Sequence, residues 1–254
     1  MLERGTFTEM KKYIINIGIC IAAILIYLGT GLILSLFIRD SVAITALTDI
    51  IVSIIGIVYY RKFISKENRS VKSDKNAWFN LLWFTMIIWI ITQVTVTWYY
   101  NTFGDSMLDN YNASISSNEA LYILLTIFFA PVLEEILMRG IVYPTLKNIC
   151  KPWIAAIISS YVFAIMHGTI VHSLVGIICG ISFLLAYEYT GKLRYAILNH
   201  MSYNFFSIVF TSLSVPNWFF SPWFVITSNT ALIVVFVKVG LYLKQRKLTN
   251  SSTS

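Results

Sequence analysis

Glu134 and Glu135 with Arg139, then His167, then His200 with Asn204 are polar residues set inside apolar stretches of a 254-residue chain. Polarity at membrane depth is costly, about 2.5–3.5 kcal/mol for a charged side chain at a helix centre, so such residues are seldom incidental. Two carboxylates, two imidazoles and a carboxamide are also the groups that activate a water molecule and hold an oxyanion. In Ala130-Pro131-Val132-Leu133-Glu134-Glu135-Ile136-Leu137-Met138-Arg139, Glu135 and Arg139 are four apart. They share a helix face, with the acid N-terminal to the base in the favoured order. Glu134 points about 100° away from that face. One carboxylate is therefore neutralised locally while its neighbour faces elsewhere. Pro131 is expected to bend this helix or release a carbonyl just upstream.

Phe163 and His167 are again four apart, at the end of an apolar run, and His200 and Asn204 repeat the spacing. Each pair shares one helix face. His172, near the start of the next run, reads as a helix-end histidine and not as part of the site. Two histidines and a glutamate could hold zinc with one position open. The HExxH spacing that puts both imidazoles on one helix face is missing. The expectation is therefore metal-free chemistry without a cofactor, with zinc on Glu134, His167 and His200 as the alternative.

The elements that must position these groups are membrane helices. The chain is 57% hydrophobic and 12% charged, with a mean hydropathy of +0.72, against about 25% charged residues in a soluble domain. The deficit runs along the whole length, which predicts an all-α, polytopic bundle. About 20 apolar residues cross the hydrocarbon core, and on that scale eight spans are expected, at 13–38, 42–60, 78–100, 120–146, 152–168, 170–189, 193–213 and 222–243. Strands are not expected, because an open sheet edge cannot be satisfied in lipid. The net charge of +7 reflects basic loops between spans and gives no reason to expect nucleic acid. Arg4, Lys11, Lys12, Arg61, Lys62, Lys66, Arg69, Lys72, Lys75, Lys147, Lys151, Lys192, Arg194, Lys244, Arg246 and Lys247 fall on one side if there are eight spans. That side, with both termini, is expected to be cytoplasmic. Asp49 is expected near the outer interface, the loop 101–119 outside, and the tail 248–254 unstructured. The first apolar stretch is too long for a signal-peptide core and should stay attached. Cys20, Cys150 and Cys179 show no CxxC spacing and read as small buried hydrophobes.

In order, the three elements are EExxxR, FxxxH and HxxxN on the fourth, fifth and seventh spans. At that point the chain resembles the CPBP family of intramembrane proteases, the type II CAAX prenyl endopeptidase and bacteriocin-processing, or abortive-infection, group. The resemblance covers about residues 119–210, including Gly176 and Gly180 in the sixth span. It divides the chain into N-terminal helices at 1–118, a catalytic core at 119–213, and a last helix with tail at 214–254. It implies peptide-bond hydrolysis of a membrane-associated peptide or protein at the edge of, or within, the bilayer. Glu134 would be the general base, polarising water together with His167. His200 and Asn204 would donate to the oxyanion. Glu135, Arg139 and Phe163 would support them. Composition suggests a bacterial plasma membrane, with pheromone or bacteriocin maturation or immunity as the setting. The alternative is a non-catalytic regulatory or immunity partner of the same fold. A proton-relaying transporter would carry more intramembrane charge. One requirement is awkward: at about 1.5 Å per residue, His200 lies only about 10 Å from Leu193. The seventh helix must start deep or tilt.

Overall fold

Residues 2–64, 76–107, 119–210 and 220–251 are described by the computed structural model. Among them are eight helices and no strand. They are α1 (Leu2–Ser35), α2 (Ser41–Tyr59, extended by the π-helical Tyr60–Ile64), α3 (Ala77–Phe103), α4 (Glu119–Leu124 through Tyr143–Lys147), α5 (Pro152–Ile165), α6 (Ile170–Thr190), α7 (Leu193–Val209) and α8 (Pro222–Ser251). Each coincides with one of the eight expected spans, and the chain is a polytopic helical bundle.

Six helices are long and apolar enough to cross a membrane, whereas α5 is an apolar helix of only 14 residues and α7 has 17. Both stop short of their expected limits, at Ile165 and Val209. At about 1.5 Å per residue, α5 is about 21 Å long, less than the roughly 30 Å hydrocarbon core. Gly168, with φ +74°, breaks the chain between α5 and α6. The C-terminal expectation is corrected as well, since α8 continues to Ser251. Lys, Gln, Arg and Leu are good helix formers and carry the helix onward. Lys66, Arg69, Lys72, Lys75, most of the 101–119 loop and residues 252–254 lie outside the described residues.

By compactness the chain forms two units, Met1–Arg69 with Asn118–Ser159, and Ser70–Ser117 with Ser160–Ser254. In the first, α2 packs on α1 and on α4. Gly56 permits the second approach, since a Cβ there would lie 2.5 Å from Ile136 Cγ2. Ile14, Leu25 and Leu32 on α1 are 66%, 60% and 69% exposed. Apolar residues turned outward on this scale fit a lipid environment and not water.

In the second unit α3 is the hub. Thr85 donates to Asn199 Oδ1, Thr92 shares a 2.7 Å hydrogen bond with Tyr203, and Asn229 Nδ2 donates to Thr95 Oγ1 at 2.7 Å. These polar side chains act as interhelical ties. The end of α5 lies against α6 through two glycines. A Cβ on Gly176 would meet Ala164 Cα at 2.8 Å, and one on Gly180 would meet Ser160 Cβ at 3.0 Å. Gly191, left-handed at φ +66°, ends α6, and α7 follows at once.

Candidate active site

Glu134, Glu135 and Arg139 belong to the first unit and sit on α4, which is not a regular helix. π-helical turns at Leu125–Phe129 and Ile136–Val142 interrupt it, before Pro131 and Pro144. Proline lacks an N–H and its ring crowds the carbonyl four residues back. A wider turn at that point relieves both problems, and π-bulges of this kind recur at functional sites. The bend expected at Pro131 takes this form.

Between the two π turns, Arg139 Nη1 donates to Glu135 Oε1 at 2.9 Å, with side chains 1% and 0% exposed. The neighbouring Glu134 is only half-buried. The two adjacent acids thus differ in surroundings: one is sealed against a guanidinium, and the other belongs to a half-buried side chain whose Oε2 is itself buried. Asp49 of α2 was not read as a site residue, yet it is 2% exposed and within electrostatic reach of Glu134. Its Oδ2 is buried without a hydrogen-bond partner among the described residues. Tyr27 of α1 is in reach of both acids. The signal in the sequence was the stripe Asp49, Ser53, Gly56, which puts small and polar residues on one face of α2.

His167, Phe163, His200 and Asn204 belong to the second unit. Phe163, 2% exposed, stands between the imidazoles, edge-on to His167 at 4.8 Å and to His200 at 5.7 Å. Phe183 of α6 stacks on His200 at 4.3 Å and 23°. Sequence reasoning missed Phe183, although Gly176, Gly180, Phe183 and Tyr187 form one helical stripe. The two glycines admit α5, and Phe183 comes next on the same face. Asn204 follows His200 by one turn and is half-buried. α7 is oriented by its other face, where Asn199 and Tyr203 tie it to α3. That gives α3 a positioning role that its hydrophobic sequence did not announce.

His167 Nδ1 lies 2.8 Å from the Phe163 carbonyl. A carbonyl only accepts, so Nδ1 carries the proton, and in the neutral ring Nε2 is left as the acceptor. His167 is half-buried, in the turn after α5. An Nε2 lone pair there can accept a proton from water or a substrate group. His172 contributes through its backbone N–H, which the Thr169 hydroxyl caps at 3.0 Å. Neither unit groups three His, Cys, Asp or Glu side chains as ligands for one metal ion among the described residues.

Comparison with known proteins bears on the stretch that carries these groups. Over 93 residues the chain is 36% identical to an uncharacterised protein of Mycoplasma capricolum, covering 35% of this chain and 27% of that protein. Over 98 residues it is 30% identical to the Bacillus subtilis protein named "Putative membrane peptidase YdiL", covering 39% of this chain and 40% of that one. The chain thus spans less than half the length of these relatives. No solved structure matches it significantly. Residues 116–206 match the family described as type II CAAX prenyl endopeptidase Rce1-like. The match contains EExxxR, FxxxH and HxxxN in full, and through this region the chain is similar to that family.

Proposed function

We propose that this protein is an intramembrane endopeptidase that hydrolyses peptide bonds of membrane-associated peptides or proteins. The observation that carries this reading is the unequal surroundings of Glu134 and Glu135. The Glu135–Arg139 pair is sealed, which supports the half-buried Glu134 as the carboxylate that meets a water molecule. Glu134 takes a proton from water as the hydroxide attacks the scissile carbonyl, with His167 Nε2 helping to orient that water. His200 and Asn204 donate to the resulting oxyanion, where one donor is worth about 3–4 kcal/mol. The proton then passes from Glu134 to the leaving nitrogen as the C–N bond breaks, giving an amine and a carboxylic acid, which loses its proton to the amine or to water on release. Joint use of Glu134 with the histidines is supported by the family resemblance.

The physiological setting we propose is maturation of, or immunity to, secreted peptides such as pheromones and bacteriocins at a bacterial plasma membrane. Both relatives reported above are bacterial. The test reconstitutes the protein in phospholipid vesicles with a fluorophore–quencher apolar peptide. Wild type cleaves it, and Glu134→Ala lowers the rate by at least about 100-fold, in the range of a lost general base. Equal cleavage by both proteins defeats the mechanism. Binding of the peptide without cleavage by either favours the non-catalytic partner. Tight chelation leaves activity intact under this assignment, whereas loss restored by zinc would make Glu134, His167 and His200 metal ligands.

A further inference from the structure

Only residues 166–169 separate the end of α5 from the start of α6, and His167 sits among them. Gly168 takes a left-handed φ of +74°, so the backbone there is a hinge, open to many conformations in isolation. Local bonds restrain it in part: Thr169 N–H donates to the His167 carbonyl at 3.0 Å, and His167 Nδ1 holds the Phe163 carbonyl. The first bond stays inside the turn and the second ties the imidazole to the last turn of α5, so neither holds the start of α6 to α3.

Asp105 does. It follows the end of α3, where Gly104 turns the chain at φ +69°, and it is 7% exposed. Its Oδ2 accepts from the Val171 N–H at 3.0 Å, across 66 residues of sequence. Its Oδ1 accepts from the Met107 N–H at 3.1 Å, which holds the carboxylate in orientation. Val171 is in the first turn of α6, where backbone N–H groups lack helical acceptors and the helix dipole favours an anion. His172 lies within electrostatic reach of both Asp105 and His167, so the carboxylate and the two imidazoles share one neighbourhood. A buried acid is a costly way to cap a helix that already has Thr169 as its local cap. What Asp105 adds is a tie from α3, the hub of the unit, to the helix that begins two residues after the His167 hinge.

The geometry points to Asp105 as the positioning residue of His167: its carboxylate locks the first turn of α6 to α3 and so fixes the hinge that carries the imidazole. The catalytic part of this inference rests on the endopeptidase reading; the positioning part does not. Small displacements of a catalytic group cost large factors in rate while substrate contacts survive. Asp105→Ala is therefore expected to lower kcat by roughly 10–100-fold with KM nearly unchanged. Asp105→Asn keeps one acceptor for Val171 and should recover most of that loss. Thr102→Ala, on the exposed end of α3, should match wild type.

A second readout does not need activity. The chain has three histidines, His167, His172 and His200, so their imidazole NMR signals can be assigned by substitution in labelled protein. Asp105→Ala should move the His167 and His172 signals and leave that of His200 in place. If that variant does not fold, Asp105→Ser, too short to reach the Val171 N–H, carries the same test, and Asp105→Asn should leave the His167 signal nearer its wild-type place than either. A His167 signal unmoved in the folded alanine or serine variant, or a loss confined to KM, overturns the inference. If wild type cleaves nothing, the endopeptidase reading fails, and the His167 signal alone decides whether Asp105 holds the hinge.

Discussion

Removing one partner of the Glu135–Arg139 pair strands the other charge in a low-dielectric interior, because both side chains are almost fully buried. Breaking such a pair costs about 3–5 kcal/mol, far more than the pair contributes relative to apolar residues of the same size. Arg139→Met is therefore expected to lower the unfolding midpoint of the detergent-solubilised protein strongly. The double variant Glu135→Gln with Arg139→Met should recover part of that loss, and additive losses would contradict the pairing. Glu134→Gln belongs to the opposite class. It changes no buried ion pair, so its unfolding midpoint should stay near wild type while peptide cleavage disappears. The i, i+4 spacing already marked the pair in the sequence. Phe183 against His200, Asp49 near Glu134 and Asp105 on Val171 were not legible there, because each joins residues on different segments that helical spacing does not relate.

At the scale of elements, glycines decide how closely helices approach. Gly176 faces the backbone of Ala164 at 2.8 Å for an added Cβ, and backbone cannot rotate away as a side chain can. Gly176→Ala should therefore separate α5 from α6 and destabilise the fold by about 1–3 kcal/mol, the usual cost of overpacking. Gly31→Ala is the contrast: its Cβ would meet only Thr48 Oγ1 at 3.6 Å. There the better helix propensity of alanine should leave stability equal or slightly raised. Thermal unfolding of the two variants side by side checks this, and equal losses would refute the close-approach argument. On α4 the prolines and π turns make the same point. Pro131→Ala removes the reason for the turn at Leu125–Phe129 and should change the angular setting of Glu134. A fall in cleavage rate of about 10-fold or more, with helix content kept, is the expected result.

For the whole molecule the open variable is orientation. Basic residues at Lys147 and Lys151 and at Lys192 and Arg194 predict cytoplasmic turns after α4 and α6. In a Cys150→Ser background, a cysteine at the exposed Asn148 should react with an impermeant maleimide only after cells are opened. One at the exposed Asn101 should react in intact cells. Reversed labelling would invert the topology and put the cytoplasmic termini in error.

The sequence alone determined what depends on near neighbours along the chain. Apolar length set the eight helices, and a four-residue spacing set the Glu135–Arg139 pair and the shared faces of Phe163 with His167 and His200 with Asn204. Both follow from helix geometry, which is local. Only the tertiary structure decided that Phe183 stacks on His200, that α3 orients α7 through Thr85 and Thr92, and that Asp105 reaches α6. Those contacts depend on which helices can approach closely, and that is settled by packing between distant segments.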